Sequence, residues 1–465
     1  MTRTLLFLTA ASALAQTRFA PGVKPFVAID DAVVALAHVR VIDGTGAAPL
    51  EDQTVVIDHG KIARVGRTAP PAGSRVVESA GYTLIPGLVG MHEHLFYPSG
   101  GGIPIYNEQA FSFPRLYLAS GVTTARTAGS LEPYTDLNIK REIDAGRMPG
   151  PTMWITGPYL EGAGSFATQM HELTGPDDAT RTVDYWASEG ATSFKAYMNI
   201  TRAELKAAVE AAHHRGIKVT GHLCSIGFRE AAAIGIDNLE HGLLVDTEFH
   251  PGKQPDACPP QVATRNEIAR LDIASAPVRE MIADLVAHHV AITSTLAVFE
   301  AFDGGRPPLE QRFLDALTPE GANSYLGSRA RSAAGSFVPM LKKELEFERA
   351  FVAAGGLLMS GADPTGNGGA LAGFADQRNI ELLVEGGFTP VEAIRISTSN
   401  GAKFLGEDGR IGTIAPGKVA DLVVIDGNPG ARIADIRKVK YVFKAGVGYD
   451  PGKLLESVKG AVPLH

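Results

Sequence analysis

The sequence predicts an α/β protein: a (β/α)8 TIM barrel carrying a small β-sandwich domain built from both chain ends. Three observations lead there. From residue 86 to about residue 405, a short apolar or β-branched strand is followed repeatedly by a helix-period segment, the pattern of parallel strands joined by crossover helices. Both flanks, 26–85 and 406–465, hold short strands with tight turns instead, and each has about half the material of a sandwich. The residue types that do chemistry stand at the ends of the central strands, the rim on which a barrel collects its site. A doubly wound open sheet shares the alternation, but it does not gather polar residues from so many strand ends.

The N-terminus has the layout of a cleavable signal peptide over residues 1–15. Arg3 supplies the positive region, Leu5 to Ala11 the apolar core, and Ala13-Leu14-Ala15 the small-residue cleavage site before Gln16. The apolar run is too short to span a bilayer, and no other stretch reaches about 18 apolar residues. A buried N-terminal helix is the alternative, but nothing amphipathic follows. The expectation is a secreted or periplasmic protein with no membrane attachment after cleavage.

Composition narrows the partners. The chain has 465 residues, 45% of them hydrophobic, enough for a barrel core and a second domain. Its net charge of −8 comes without a basic cluster, which excludes nucleic acid as a partner. The 52 glycines are scattered among apolar runs and suit many tight strand-to-helix turns rather than disorder. Two cysteines, Cys224 and Cys258, are too few for a disulfide scaffold; one bridge is allowed and nothing forces it. A homo-oligomer is left open.

In the N-terminal flank, Ala35–Ile42, Gln53–Ile57 and Ile62–Val65 read as strands separated by Asp43-Gly44 and His59-Gly60 turns. In the C-terminal flank, Ala420–Ile425 and Val439–Lys444 read as their partners. Between them the predicted barrel strands begin with Leu88 to His94, which Pro86-Gly87 leads into. They continue with Gly121–Ala125, Thr152–Ile155, Ser193–Tyr197, Lys218–His222, Asn238–His241, Ala291–Leu296 and Leu357–Gly361. The segment Thr201–Ala212 is helical, with Thr201 as N-cap and Glu204 closing a capping box. Two connections, Leu243–His289 and Ala297–Ala354, are longer than a barrel needs. Both leave from the rim, so substrate choice is expected there.

His92 and His94 are spaced i, i+2, so on a strand both imidazoles face one way and make half of a divalent metal site. A pair of hydrogen-bonded core histidines would look the same locally. What favours a site is the rest of the rim: Lys195 from the fourth strand, His222 from the fifth, His241 from the sixth and Asp363 after the eighth.

This set, with the closing segment Thr398–Lys403 and Gly412-Thr413-Ile414-Ala415-Pro416-Gly417-Lys418, resembles the amidohydrolase superfamily over nearly the whole chain. Within it the chain is most similar to secreted imidazolonepropionase-like and prolidase-like members with a strand-four lysine. The resemblance implies a binuclear metal-dependent hydrolase. A metal-bridging hydroxide would attack the amide (C–N) bond of a small molecule such as a dipeptide or an N-acyl amino acid. It implies that His92, His94 and Asp363 hold the more buried metal and His222 and His241 the more exposed one. Lys195, carbamylated to N6-carboxylysine, would span both. Burial and metal charge favour the neutral amine that this carbamylation needs. Asp363 would take the proton of the attacking water and pass it to the leaving nitrogen. Zinc is the expected metal, although manganese, iron or cobalt also suit mixed nitrogen and oxygen ligands.

Alternatives remain on the same residues. A cyclic amide, an enamide or a lactone could be hydrolysed by the same hydroxide. One-metal deaminases of this superfamily carry a glutamate three residues after the fifth-strand histidine, where this chain has Ser225. A non-catalytic metal-binding barrel would not need every ligand position filled. Three residues are candidates for touching substrate: Tyr197, two positions past Lys195; His171, in the loop after the third strand; and Arg126, near the end of the second, which could instead pair with a structural acid. Ser294 and Thr295 are expected to line the pocket, Cys224 to be a small buried residue, and His213 and His214 to lie on the surface.

Overall fold

The computed structural model describes residues 19–99, 105–332, 337–365 and 369–463. The segment read as a signal peptide, 1–15, and the last two residues lie outside that range. Strands β1 (Val27–Ile29), β2 (Val33–Val41), β3 (Leu50–Asp58), β4 (Lys61–Gly66), β5 (Arg75–Glu78) and β6 (Tyr82–Pro86) come from the N-terminal flank. They share one nine-stranded sheet with β18 (Leu422–Asp426), β19 (Val439–Lys444) and β20 (Val447–Tyr449). The two chain ends meet where β18 pairs antiparallel with β6, Leu422 opposite Pro86 and Asp426 opposite Tyr82. The sheet curls back on itself: Ile62 on edge strand β4 donates to the Lys418 carbonyl, just ahead of β18. Alternate residues of both flanks, among them Val34, Leu36, Val55, Leu84, Val424 and Phe443, bury into a single apolar cluster, as period-two alternation requires.

The barrel begins without a break, because β6 runs into β7 (Leu88–Glu93) across Gly87. A small hairpin, β8 (Phe96–Ser99) and β9 (Ile105–Glu108), follows β7 over the rim. Then come β10 (Val122–Thr127), β11 (Thr152–Trp154) with β12 (Thr156–Leu160), β13 (Ser193–Ala196), β14 (Lys218–Gly221), β15 (Asn238–Glu240), β16 (Ala291–Ser294) and β17 (Leu358–Ser360), all parallel. Two hydrogen bonds close the ring. Asp363 N–H donates to the His92 carbonyl at 2.8 Å, tying the eighth strand position to the first, and Thr156 N–H donates to Thr127 Oγ1 at 2.8 Å. Gly361 makes the first closure sterically feasible: a Cβ there would sit 2.3 Å from the His92 backbone nitrogen.

The third strand differs from the sequence reading, which ends it at Ile155. Here it is two pieces, β11 pairing with β10 and β12 with β13, and it continues to Leu160. Gly157-Pro158 has the look of a turn, but Gly157 is where the Phe194 ring packs, 2.6 Å from a hypothetical Cβ. Packing overrides the local turn signal. The capping box at Thr201 is present, with Glu204 N–H donating to Thr201 Oγ1 and Thr201 N–H to Glu204 Oε2. The two long rim connections fold into helices, among them Gln261–Ile268 after β15, and Leu296–Glu300 and Val338–Ala353 after β16. Among the described residues no helix is long and apolar enough to cross a membrane.

Candidate metal centre

His92, next to last in β7, and His94, just beyond it, aim their rings into the barrel mouth, while Glu93 between them points outward and accepts from Ala362 N–H at 3.1 Å. Each histidine is held from behind. His92 Nδ1 lies 2.8 Å from Glu240 Oε2, and His94 Nδ1 lies 3.3 Å from the Gly129 carbonyl. With Nδ1 engaged, both Nε2 atoms are left to face Asp363, whose Oδ1 is 3.6 Å from His92 Nε2 and 3.3 Å from His94 Nε2. Two imidazole nitrogens and one carboxylate oxygen thus lie within 4.8 Å of one another, a donor set and backing that suit a divalent ion. Thr365 Oγ1 donates to Asp363 Oδ1 at 2.8 Å and fixes the carboxylate.

The remaining rim residues stand against this trio. Lys195 Nζ is 3.1 Å from His92 Nε2. His241 Nδ1 is 3.8 Å from Asp363 Oδ2 and 2.7 Å from Thr295 Oγ1. The His222 ring lies 4.5 Å, centroid to centroid, from that of His241. All six predicted ligands therefore converge. Two of them reach the mouth through left-handed backbone, His241 at φ 69° and Asp363 at φ 44°. A non-glycine residue there costs about 1–3 kcal/mol, strain that tends to collect at functional sites.

Burial sets the charge states. It pushes the His94 imidazole down to about 4 and that of His222 to about 3, and lowers His92 and His241 as well, so all four rings are neutral donors near pH 7. Burial also lowers the Lys195 ammonium to about 8, against the raising pull of Glu240 and Asp363. For Asp363 burial favours the acid form, but the surrounding imidazoles outweigh it and hold the carboxyl well below its usual range. Glu240 is likewise held low, by Arg126 and His92.

Three expectations need correction. Arg126 does not reach a substrate: it is buried beneath the centre, where its guanidinium donates to the Met91 carbonyl and, at 2.7 Å, to Glu240 Oε1. It is the partner of a structural acid. His171 does not line the pocket: its side chain is 56% exposed and its Nε2 pairs with Asp178 Oδ2 at 3.0 Å, while the neighbouring Met170 takes the wall position. Thr295 supports His241 and Ser294 bonds Asn379, so neither is pocket lining. Tyr197 does line the cavity, its ring 5.0 Å from that of His222. Cys224 is joined in a disulfide to Cys258.

Sequence reasoning missed Glu240, Gly129 and Thr365, the groups that orient the ligands. Only Glu240 left a signal, an acid placed inside a strand that must be buried. It also missed the aromatic lining of the mouth, a cavity of about 230 Å3 whose walls include Phe96, Tyr106, Tyr159, Phe299 and Phe337.

Residues 83–448 match the model of the Amidohydrolase family. Among characterised proteins, the imidazolonepropionase of Streptomyces avermitilis is 32% identical over 117 residues, covering 24% of this chain and 28% of that protein. The chain therefore matches little more than a quarter of that relative's length. The D-hydantoinase of Streptomyces coelicolor is 24% identical over 408 residues, 80% of this chain and 81% of that one. Among solved structures, a Xaa-Pro dipeptidase with methionine bound in its active site superposes with a TM-score of 0.68 at 22% identity, covering 90% of this chain and 100% of the other. The ochratoxinase of A. niger gives 0.65 at 20%, covering 92% and 99%.

Proposed function

The chain belongs to the amidohydrolase family, and on that premise we propose that it is a metal-dependent hydrolase cleaving an amide (C–N) bond of a small molecule such as a dipeptide or an N-acyl amino acid. The observation that carries this reading is the convergence of His92 Nε2, His94 Nε2 and Asp363 Oδ1 on one point, with both Nδ1 atoms already engaged. Divalent metal ions held there, with Lys195, His222 and His241 completing a two-ion set, would supply Lewis acidity to water and to the scissile carbonyl. Zinc suits the donors.

The protein's own groups do the rest. Asp363, an anion at neutral pH, takes the proton of the attacking water and returns it to the leaving nitrogen. The four neutral imidazoles hold their positions without competing for that proton. The burial of Lys195 and its 3.1 Å approach to His92 support a carbamylated lysine at this position. Its neutral amine adds to carbon dioxide, one C–N bond forms and one proton leaves, and the new carboxylate is the oxygen ligand that an amine cannot provide. Tyr159 and Tyr197, whose hydroxyls burial keeps protonated, stand over the same pocket as donors to a developing oxyanion.

We also infer that the protein works outside the cytoplasm. The signal-like residues 1–15 and the Cys224–Cys258 disulfide both support an oxidising compartment.

The test is metal content by mass spectrometry alongside turnover on a library of dipeptides and N-acyl amino acids, before and after chelation. Two equivalents of metal, chelator-sensitive hydrolysis, and a fall in kcat of about 10²–10⁴-fold in Asp363→Asn are expected. Hydrolysis that survives complete metal removal overturns the reading.

A further inference from the structure

Two separate aromatic walls border the metal centre, one built on Phe96, Tyr159 and Tyr197 and the other on Phe299, Phe302 and Phe337. On one, the Phe96 ring lies 4.5 Å from that of His94, and Tyr159 lies 4.8 Å from Tyr197. On the other, Phe299 meets His241 edge-on at 5.4 Å and stacks on Phe337 at 5.9 Å with 12° between planes. Both walls line the same cavity as Lys195 and Asp363. A molecule whose carbonyl is placed at the centre has both sets of rings within the one cavity to meet, and ring-on-ring contact is the chemistry both walls offer.

The second wall carries a charge. Ala269, just past the Gln261–Ile268 helix, packs on the cluster containing Phe299, Phe302 and Phe337, and Arg265, one turn earlier, lines the cavity. Outside the metal-centre residues, it is the one formally charged side chain among the described residues lining that cavity. Its guanidinium reaches only Gln261 Oε1, at 3.5 Å, and forms no ion pair among the described residues. Arginine in such a position presents a planar fork matched to a carboxylate.

The helix that bears it is fixed to the centre. Cys258, three residues before the helix, is disulfide-bonded to Cys224, which is two residues past His222. Lys253 Nζ donates to the Cys224 and Ser225 carbonyls, both at 2.9 Å, and Thr247 Oγ1 donates to the Cys224 carbonyl at 2.6 Å. Arg265 is thus held in a constant relation to the ligand loop, which lowers the cost of binding.

We propose that Arg265 is the carboxylate anchor of the substrate site, and that the substrate is an amide flanked by two aromatic groups with a free carboxylate on the half lying against Phe299 and Phe337. This deepens the hydrolase reading and rests on it for the placement of the carbonyl.

The test is calorimetric binding to the metal-loaded protein of three sulfonamides that amide hydrolysis leaves intact. N-benzenesulfonyl-L-phenylalanine has both rings and the carboxylate. N-benzenesulfonyl-2-phenylethylamine lacks the carboxylate, and N-benzenesulfonylglycine lacks the second ring. The first is expected to bind about tenfold or more tightly than either of the others, the scale of one charged hydrogen-bond pair or one buried ring. Arg265→Ala should erase the carboxylate preference and leave the ring preference, with Arg265→Lys recovering part of the loss. Equal binding of the acid and the phenylethylamine, a carboxylate preference unchanged in Arg265→Ala, or equal binding of the glycine compound overturns the proposal. Hydrolysis of N-benzoyl-L-phenylalanine on the same preparation is a separate readout. Its absence, with the binding pattern intact, counts against the hydrolase reading and leaves the Arg265 site standing.

Discussion

Glu240 braces the centre from behind His92. It is buried, accepts from His92 and Arg126, and keeps its charge because both partners do the work of solvent. Glu240→Gln preserves shape and removes the charge, leaving the Arg126 guanidinium buried without a counter-ion. A loss of about 3–5 kcal/mol in chemical denaturation is expected, together with a drop of about 10–100-fold in metal affinity by competitive titration. The convergence of the six rim residues was readable from sequence because histidine, lysine and aspartate at strand ends announce themselves one strand at a time. Their supports were not. Which carboxylate sits behind His92 depends on which strands face each other across the barrel, and Arg126 and Glu240 are 114 positions apart. His171 fails for a related reason: on a loop, one residue's rotation decides between cavity and solvent, and here Met170 takes the cavity.

At the scale of elements, the curled sheet holds a titrating group. Asp421, ahead of β18, accepts from Ala445 N–H at 2.7 Å. Burial raises its carboxyl to about 6, with Lys444 and Arg410 offsetting only part. A folded value above the unfolded one of about 3.9 means that its contribution is complete below that value and is lost as pH rises through 6. Asp421→Asn keeps an acceptor for Ala445 and removes the charge. Its Tm should exceed that of the parent at pH 8, and the gap should narrow towards pH 5. The rim connection after β15 gives a second test. Replacing Cys224 and Cys258 together by serine opens a link across a separation of 34 residues, worth about 4 kcal/mol on the loop-closure estimate. KM should rise more than kcat falls, because the pinned wall binds and does not react. The length of this connection was legible in the sequence. Its fold was not, since helix caps and apolar spacing are weak there and the disulfide joins positions that no local pattern relates.

For the whole molecule, the alternation of strand and helix gave away the barrel, and the short paired strands at each flank gave away the second sheet. The parallel order of the barrel strands, the β8–β9 hairpin aside, follows once successive strand positions are joined by helical connections. What sequence did not disclose is how directly the two parts are coupled: β6 of the sheet becomes β7 of the barrel with one glycine between them. The strand bearing His92 and His94 is thus the continuation of one whose partner, β18, lies far along the chain from it. Contacts so distant along the chain are slow to form. An ion held at that centre would for that reason be captured late, because a polypeptide without β18 has its imidazoles but not the anchored strand that aims them.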